Sequence, residues 1–153
     1  MATVTPSFRT ETELVHREHQ ILMGELDELQ VALESLVCYS EVYANLAGTE
    51  QVYRCGRHLI EWLPGHFDNE EATVLTEFEK ISPELAAFSR EMKNQHKSLR
   101  GHLELFCRAI EDFEDSEDLS GAIDELKSRG QEFTRELAAH MGAEERKFDQ
   151  LHS

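Results

Sequence analysis

Two short elements, each with a histidine four residues before a glutamate, constrain this chain more than any other feature of its sequence. The first is His66 with Glu70 and the second is His140 with Glu144, and a further glutamate follows each pair. On an α-helix, residues four apart lie on the same face, one turn from each other. Each element therefore places an imidazole and a carboxylate where both can hold the same ion.

Long segments with apolar residues at steps of three and four surround these elements, and no strand-like alternation is present. This periodicity predicts four amphipathic helices. Their expected bounds are about Thr10 to just before Gly48, about Thr49 to Lys80, Ser82-Pro83 to Phe113, and Leu119 to Leu151. Pro64 lies inside the second helix and predicts a kink or break at Leu63, because proline lacks a backbone donor. Long helices with short connections predict an all-α, antiparallel up-down-up-down four-helix bundle.

The two halves of the chain repeat one design. A single histidine on the apolar stripe, first His19 and then His96, precedes the paired element by 47 and 44 residues, respectively. Two helical hairpins of this design, packed about a pseudo-twofold axis, would bring four histidines and two glutamates to one level of the bundle. The repeat therefore carries more weight than either pair alone.

The two stripe glutamates, Glu70 and Glu144, predict a metal site. Burying a carboxylate costs several kcal/mol unless it is paired or coordinated, and two facing carboxylates repel each other. Imidazole and carboxylate donors without thiolate fit iron, manganese or zinc, and bridging glutamates can hold two ions a few Å apart. In the arrangement that the repeat predicts, one ion is held by His19 and His66, the other by His96 and His140, and both glutamates bridge. The alternative is an interaction bundle in which these residues form polar layers without metal.

The charge of the chain argues against several partners. Asp and Glu number 31 against 15 Lys and Arg, which gives a formal net charge of -16. Because the acids are spread along the whole chain, their field repels phosphate backbones and anionic membrane surfaces. We therefore expect no nucleic-acid partner and no membrane partner.

The ends and cysteines of the chain favour a cytoplasmic protein. No segment approaches the roughly 20 consecutive apolar residues of a membrane helix, and residues 1–7 lack the features of a signal peptide. Cys38, Cys55 and Cys107 are odd in number and lie in helical pattern, which indicates buried reduced thiols rather than a disulfide framework. A length of 153 residues predicts one domain.

These residues resemble the hemerythrin-like (HHE cation-binding) domains, which are four-helix bundles around a non-haem di-iron centre. The resemblance covers essentially the whole chain after about Thr10. It rests on Glu18-His19, His66-Phe67-x-x-Glu70-Glu71, His96-x-x-Leu99 and His140-x3-Glu144-Glu145, in the order and spacing of the family. It implies a single hemerythrin-like domain over residues 1–153, with 1–9 as an N-terminal extension. It also implies two iron ions in an Fe-O-Fe type centre, with manganese or zinc as less favoured metals.

The chain departs from the oxygen-carrying members of that family. Those members have a second histidine four residues from the one on the third helix, whereas the flanking positions here are Met92 and Arg100. The asymmetric five-histidine site of the carriers is therefore not reproduced by this motif. An additional ligand is expected from His16, one turn before His19, or from His58, two turns before His66.

The resemblance implies two kinds of function. The first is binding of O2, NO or a related small oxidant such as peroxide, for sensing, scavenging or storage, with an apolar shell that limits access of water. The residues expected to form that shell are Leu22, Leu63, Leu99 and Leu137. The second is a di-iron enzyme (oxidase, peroxidase or NO-reducing) or an iron donor in iron-sulfur cluster repair. Both stay open on the sequence, as does the oligomeric state.

Overall fold

The computed structural model describes residues 5–36 and 42–152, without the side chains of residues 42–47 and 119. These ranges contain five helices: α1 (Pro6–Ser35), α2 (Val42–Ala72), α3 (Val74–Ile81), α4 (Pro83–Asp115) and α5 (Leu119–His152). They contain no strand, so the predicted all-α class is confirmed. None of the five helices is both long and apolar enough to cross a bilayer.

The four long helices, α1, α2, α4 and α5, form a bundle. α1 packs against α2 and α5, and α4 packs against the same two helices, so the four close into a ring. His19 and His96 are each followed three residues later by a buried leucine, whereas His66 and His140 are each preceded by one. α1 and α4 therefore run opposite to α2 and α5, which confirms the predicted antiparallel up-down-up-down bundle.

The first helix begins one turn earlier than the sequence predicted, at Pro6 rather than near Thr10. Thr5 caps it, because its hydroxyl oxygen accepts from the backbone N–H of Phe8 at 3.1 Å, and proline suits the first helical turn. Phe8 is 2% exposed, and its ring meets that of Phe78 edge-on with centroids 5.5 Å apart. A side-chain cap and an apolar anchor thus hold the additional turn.

The connection between the first two long helices also lies elsewhere than predicted. α1 ends at Ser35 and α2 begins at Val42, so Gly48 lies inside α2 instead of separating two helices. The hydroxyl of Ser35 donates to the carbonyl of Ala32 at 2.6 Å and competes with the backbone ladder at the end of α1. A Cβ at Gly48 would overlap Ser35 Oγ at the end of α1 and would lie 3.4 Å from the Ala32 carbonyl oxygen. The glycine therefore permits close approach of the two helices.

The sequence predicted a kink or break at Leu63, and the helix does not break there. α2 continues through Pro64, whose missing N–H leaves the carbonyl of Ile60 without its helical partner. Ile60 is 37% exposed, so water can hydrogen-bond to that carbonyl. A proline on a partly exposed face is therefore compatible with an unbroken helix.

The interruption falls instead at Thr73, where φ is −113° and ψ is −86°. The Thr73 hydroxyl donates to the carbonyl of Asn69 at 2.8 Å, and the Thr76 hydroxyl donates to the carbonyl of Glu71 at 2.7 Å. Threonine hydroxyls that bond to the preceding turn compete with the helix ladder and bend it. The helix predicted from about Thr49 to Lys80 is therefore two helices, α2 and α3.

The interior contains two apolar clusters. The larger, here called the main core, includes Leu22, Leu26, Leu29, Leu33, Leu63, Phe67, Leu99, Leu103, Phe106, Leu137 and Met141. The smaller, here called the end core, consists of Phe8, Val15, Val74, Leu75, Phe78, Leu85, Met92 and Phe148. The bend at Thr73 lets α3 contribute three of the residues of the end core. A polar layer lies between these two clusters.

Two of the three cysteines lie within the described residues. Cys55 is buried, Cys107 is partly buried, and both are free thiols. Burial raises the pKa of each, which keeps the sulfur protonated and poorly reactive. Cys38 lies outside the described residues.

Close packing at Gly130 gives a test of the bundle. A Cβ there would lie 2.6 Å from Leu33 Cδ1 and 3.2 Å from Phe106 Cε1, and both of these side chains are fully buried. We expect Gly130→Ala to lower the free energy of unfolding by about 1 kcal/mol in urea, because overpacking outweighs the better helix propensity of alanine. Nothing lies within 4 Å of a Cβ at Gly101, so Gly101→Ala should instead raise it by about 0.5–1 kcal/mol. Equal stabilisation by both changes would contradict this packing.

Candidate metal centre

Six polar side chains predicted from the sequence meet in the layer between the main core and the end core. None is more than 4% exposed. They are His19, His66, Glu70, His96, His140 and Glu144. The layer is flanked by apolar side chains about one turn away on each helix: Leu22, Leu63, Leu99 and Leu137 on one side, and Val15, Val74, Met92 and Phe148 on the other. The centre is thus sealed along the bundle axis by apolar contacts.

Donor group A consists of His19, His66 and Glu70, whose ligand atoms all lie within 4.8 Å of one another. His66 Nε2 contacts Glu70 Oε1 one turn along α2. His19 Nε2 lies 3.6 Å from Glu70 Oε1 and 3.6 Å from Glu144 Oε1. Group A therefore joins α1 to α2 and also faces α5.

Donor group B consists of Glu70, His96, His140 and Glu144, again with ligand atoms within 4.8 Å of one another. Nε2 of His140 lies 2.8 Å from Glu144 Oε1 and 3.0 Å from Nε2 of His96. His96 Nε2 lies 4.0 Å from Glu70 Oε2. The histidines of each group are the pairs that the sequence repeat predicts, and Glu70 belongs to both groups.

The donor atoms of this layer fit a pair of cations. Among the described residues, both oxygens of Glu70 and both oxygens of Glu144 are buried without a hydrogen-bond partner, and so is Nε2 of His19. Leaving such groups unpaired costs roughly 1–3 kcal/mol each, and more when they are charged. Lone pairs that converge from four helices on one centre are satisfied together by metal ions, and nitrogen and oxygen donors without sulfur suit iron, manganese or zinc. The residues present therefore fit a metal centre.

The two glutamates have pKa values shifted in opposite directions. Burial raises the pKa of Glu144 well above its usual range, and the nearby charge of Glu70 adds to this effect. Burial also acts to raise the pKa of Glu70, but contacts with Glu144, His19 and His66 outweigh it and hold that pKa well below the usual range. Without metal, Glu144 therefore favours its neutral form and Glu70 its charged form.

The pKa values of the histidines are also shifted in opposite directions. Burial acts to lower the pKa of His19, but contacts with Glu145 and Glu70 outweigh it and raise the value to about 9. Burial lowers the pKa of His140 to about 3, and the neighbouring His96 adds to this effect. Burial lowers the pKa of His96 as well. In the metal-free protein, a proton on His19 thus balances part of the buried negative charge.

Nδ1 of each metal-facing histidine points outward to a polar side chain. His19 donates to Glu145 Oε1 at 2.7 Å, and His66 donates to Glu18 Oε2 at 2.5 Å. Because Nδ1 carries the hydrogen in these bonds, the neutral ring presents its Nε2 lone pair to the centre. The outer bonds therefore fix both the tautomer and the orientation of the ring.

The other two histidines continue this pattern. His140 donates from Nδ1 to Oε1 of Gln95 at 2.8 Å, and Nδ1 of His96 lies 3.6 Å from Glu71 Oε2. Each outward partner is the sequence neighbour of an inward-facing residue on the adjacent helix. The outward partner on α1 contacts a histidine on α2, the partner on α2 contacts one on α4, the partner on α4 contacts one on α5, and the partner on α5 contacts one on α1. This closed set is here called the acceptor ring: Glu18, Glu71, Gln95 and Glu145.

The two histidines expected as an additional ligand lie outside both donor groups. His16 donates to Glu145 Oε2 at 2.8 Å, and its side chain is 51% exposed. His58 pairs with Glu25 at 2.8 Å, and its side chain is 50% exposed. Both face outward and bond to surface carboxylates, so neither supplies a donor atom to the centre.

Sequence reasoning did not assign the roles of Glu18 and Gln95. Each lies directly before an inward-facing histidine, Glu18 before His19 and Gln95 before His96. A side chain at that position lies beside the buried face of its helix, and this placement could have indicated the role. Phe67 was also missed. Its ring stacks on that of His96 with centroids 4.2 Å apart and an interplanar angle of 17°, and it forms part of the floor of the centre.

Two clefts reach the polar layer from the surface. The larger, about 560 Å³, lies between α1 and α5 and is lined by His16, His19, Met23, Gly24 and Gly142, among others. The smaller, about 150 Å³, lies between α4 and α5 beside Gln95 and His140. Small molecules can therefore approach either donor group from the side of the bundle.

Comparison with known families gives one match. The family model described as hemerythrin HHE cation binding domain matches residues 10–151. That span includes all six inward-facing residues and the whole acceptor ring. No curated protein and no solved structure matched the chain.

The charge state of His19 predicts how metal-free protein responds to pH. Its pKa is raised from 6.5 to about 9, so the folded protein keeps a proton that the unfolded chain releases. Stability from this group is complete below pH 6.5 and is lost as the pH rises through about 9. In urea unfolding of chelator-treated protein, we expect a loss of about 2 kcal/mol between pH 6.5 and pH 9.

His19→Gln is the control for that experiment, because glutamine does not titrate in this range. The variant should lose most of the pH dependence. If the chelator-treated wild type and His19→Gln showed the same change in unfolding free energy between these pH values, the charge assignment would be wrong.

Proposed function

Because the chain belongs to the hemerythrin HHE cation-binding family, as its motifs indicated, we propose that it holds two iron ions and binds O2, NO or peroxide at an open metal position. On this proposal the bound molecule is sensed, scavenged or stored. The observation that carries the proposal is the convergence of six buried donors, with four carboxylate oxygens unpartnered, in one layer of the bundle. A purely structural bundle would gain stability by replacing them with apolar residues.

The donor groups divide between the two ions. His19 and His66 would hold the first, His96 and His140 the second, and the two glutamates would lie between them. Glu70 fits this role because it belongs to both groups. Glu144 lies 2.8 Å from Nε2 of His140 and 3.6 Å from Nε2 of His19, so it also faces both.

The number of donors would leave open positions only on ions with higher coordination numbers. Six side chains shared by two ions leave each ion short of the six ligands of an octahedral site. Iron and manganese tolerate such open positions, whereas zinc is usually satisfied by four ligands. When bound, iron supplies an open position that accepts a small molecule and can exchange electrons with it.

The protein itself orients the donors and excludes water. The outer bonds of His19 and His66 to Glu145 and Glu18 fix two of the rings. The leucines on the main-core side, of which Leu22, Leu63 and Leu137 are at most 1% exposed, keep water from reaching the centre along the bundle axis. A dry centre strengthens electrostatic interactions and slows loss of a bound ligand.

A second candidate function is a di-iron enzyme (oxidase, peroxidase or NO-reducing) or a donor of iron to damaged iron-sulfur clusters. The observation that favours it is the distribution of histidines, which is two in each donor group. Met92 is buried in the end core and Arg100 pairs with Asp68 at 2.6 Å, so neither position supplies the additional nitrogen of the oxygen carriers. Sustained consumption of NO or peroxide, or ready release of iron, would favour this candidate.

Metal analysis tests the proposed centre. We expect wild-type protein reconstituted with Fe²⁺ under anaerobic conditions to hold about two irons per chain, measured by mass spectrometry. Glu144→Gln should hold about one, because an amide does not supply a negative ligand. Its metal-free unfolding free energy should stay within about 1 kcal/mol of the wild type, since Glu144 prefers its neutral form in that state.

Glu61→Gln, an exposed change on α2, is the matched control and should retain full iron content. The proposal fails if the wild type contains no stoichiometric metal and His66→Leu stabilises it. That pair of results would identify the layer as structural.

Optical spectroscopy tests the open position. Adding NO to the iron-loaded protein without oxygen should change the visible spectrum, and removing NO should restore it, because the dry centre holds the ligand without consuming it. Glu144→Gln should show a reduced change. Continuous consumption of NO with an added electron donor would instead support the enzymatic candidate.

A further inference from the structure

The acceptor ring offers different hydrogen-bond acceptors to the histidines of the two donor groups. Both histidines of group A donate to carboxylates: His19 to Glu145 at 2.7 Å and His66 to Glu18 at 2.5 Å. In group B, by contrast, His140 donates to the neutral amide oxygen of Gln95 at 2.8 Å. Group A thus has two charge-assisted outer bonds, and this histidine of group B has none.

The second histidine of group B is also weakly supported. Nδ1 of His96 is buried without a hydrogen-bond partner, and the nearest carboxylate oxygen, Glu71 Oε2, is 3.6 Å away. Neither histidine of group B therefore makes a hydrogen bond to a carboxylate.

Glu91 fixes the orientation of the Gln95 amide, so that its oxygen faces His140. Nε2 of Gln95 donates to Glu91 Oε1 at 3.2 Å, which leaves Oε1 of Gln95 to accept from His140. A carboxylate at position 95 would face Glu91 one turn earlier on α4, and like charges at that spacing repel. The pair is therefore built to present a neutral acceptor to His140.

Position 95 is also where the acceptor ring departs from the internal repeat. Glu71 and Glu145 occupy equivalent places after the two paired elements. Glu18 precedes His19 as Gln95 precedes His96, but one is a carboxylate and the other an amide. The difference in residue type thus lies at position 95, and the longer distance from Glu71 to His96 adds to the asymmetry.

The acceptor of a metal-bound histidine affects how tightly the metal is held. A carboxylate that accepts from Nδ1 makes the imidazole a stronger donor, and changing such a partner typically alters metal affinity 10–100-fold. Group B has one carboxylate more than group A among donors within 4.8 Å of one another, but Glu144 also lies 3.6 Å from Nε2 of His19. Because Glu70 likewise contacts histidines of both groups, the two glutamates face both positions. The acceptor ring therefore decides which position is stronger.

We propose that the two metal positions are unequal: group A binds the first ion tightly, group B binds the second more weakly and exchanges it, and Gln95 is the positioning residue that sets the difference. This inference rests on the proposed two-metal function. It gives the protein a stable half-loaded form with one ion in group A. The second ion is then the one that enters and leaves as metal supply changes.

A swap of two side chains on α4 tests the proposal without changing net charge. The double variant Glu91→Gln/Gln95→Glu gives His140 a carboxylate acceptor and leaves an amide where the carboxylate was. In anaerobic calorimetric titration with Fe²⁺, we expect wild type to show two steps at least about tenfold apart in Kd. In the swap variant, the second step should tighten about tenfold and the first should stay unchanged. Glu91→Gln alone is the control and should leave both steps unchanged.

The reciprocal change is Glu18→Gln, which gives His66 the kind of acceptor that His140 has. We expect its first step to weaken about tenfold, so that the two steps converge. This variant decides the question on its own if the swap variant fails to fold. A chelator should remove the second iron from wild type faster than the first, and should remove both at similar rates from Glu18→Gln.

The outcomes separate this inference from the proposed function. Two bound irons with equal Kd in wild type would overturn the inference and leave the two-metal function intact. So would a folded swap variant, or a Glu18→Gln variant, whose two steps are those of wild type. Wild-type protein that binds no iron would overturn the proposed function itself.

Discussion

The structure depends on how the charge of two facing carboxylates, Glu70 and Glu144, is neutralised in a buried layer of the bundle. Without metal, protons do this: Glu144 stays neutral because burial raises its pKa, and His19 stays charged beside Glu70. Metal ions would do it more completely, since they also satisfy the unpartnered carboxylate oxygens. The feature that weakens a metal-free bundle is therefore the one that would stabilise a metal-bound bundle.

Two parts of the fold keep the donors in place. The main core and the end core lie on opposite sides of the layer and fix its depth. Hydrogen bonds to the acceptor ring fix the rotation of three imidazoles, those of His19, His66 and His140, from outside. The fourth member, Glu71, lies 3.6 Å from Nδ1 of His96. Apolar packing thus sets the position of the polar layer along the bundle, whereas the outer hydrogen bonds set the orientation of the histidine rings. A donor set held in both ways changes little when a metal binds.

Helical spacing indicated from the sequence which polar side chains share the inner face of each helix, and the repeat indicated that they lie at one level. His66 and Glu70 must share a helix face because they are four residues apart. A histidine on the apolar face of a helix must point into the core, because that face packs against the other helices. The helix boundaries were less predictable. The early start of α1 depends on the Thr5 cap, and the break at Thr73 depends on hydroxyl bonds to the preceding turn. Both are local competitions between side chain and backbone, which periodicity does not report.

Sequence reasoning could not identify which histidine each member of the acceptor ring contacts, for a different reason. Glu18 and Gln95 act on histidines of neighbouring helices, so their partners depend on which helices are adjacent and at what register. Glu145 illustrates the point, since it follows Glu144 on α5 but bonds to His19 on α1. His16 and His58 show the converse, because their spacing suited a ligand but their side chains face outward.

A crystal structure of the iron-reconstituted protein, with the metal located by anomalous scattering at the iron edge, tests the central claim most directly. We predict two iron peaks about 3.5–4 Å apart in the layer between the main core and the end core. One should lie against His19 and His66 and the other against His96 and His140, with Glu70 and Glu144 between them. Iron bound elsewhere, or a layer without iron whose glutamates are held by protons alone, would contradict it.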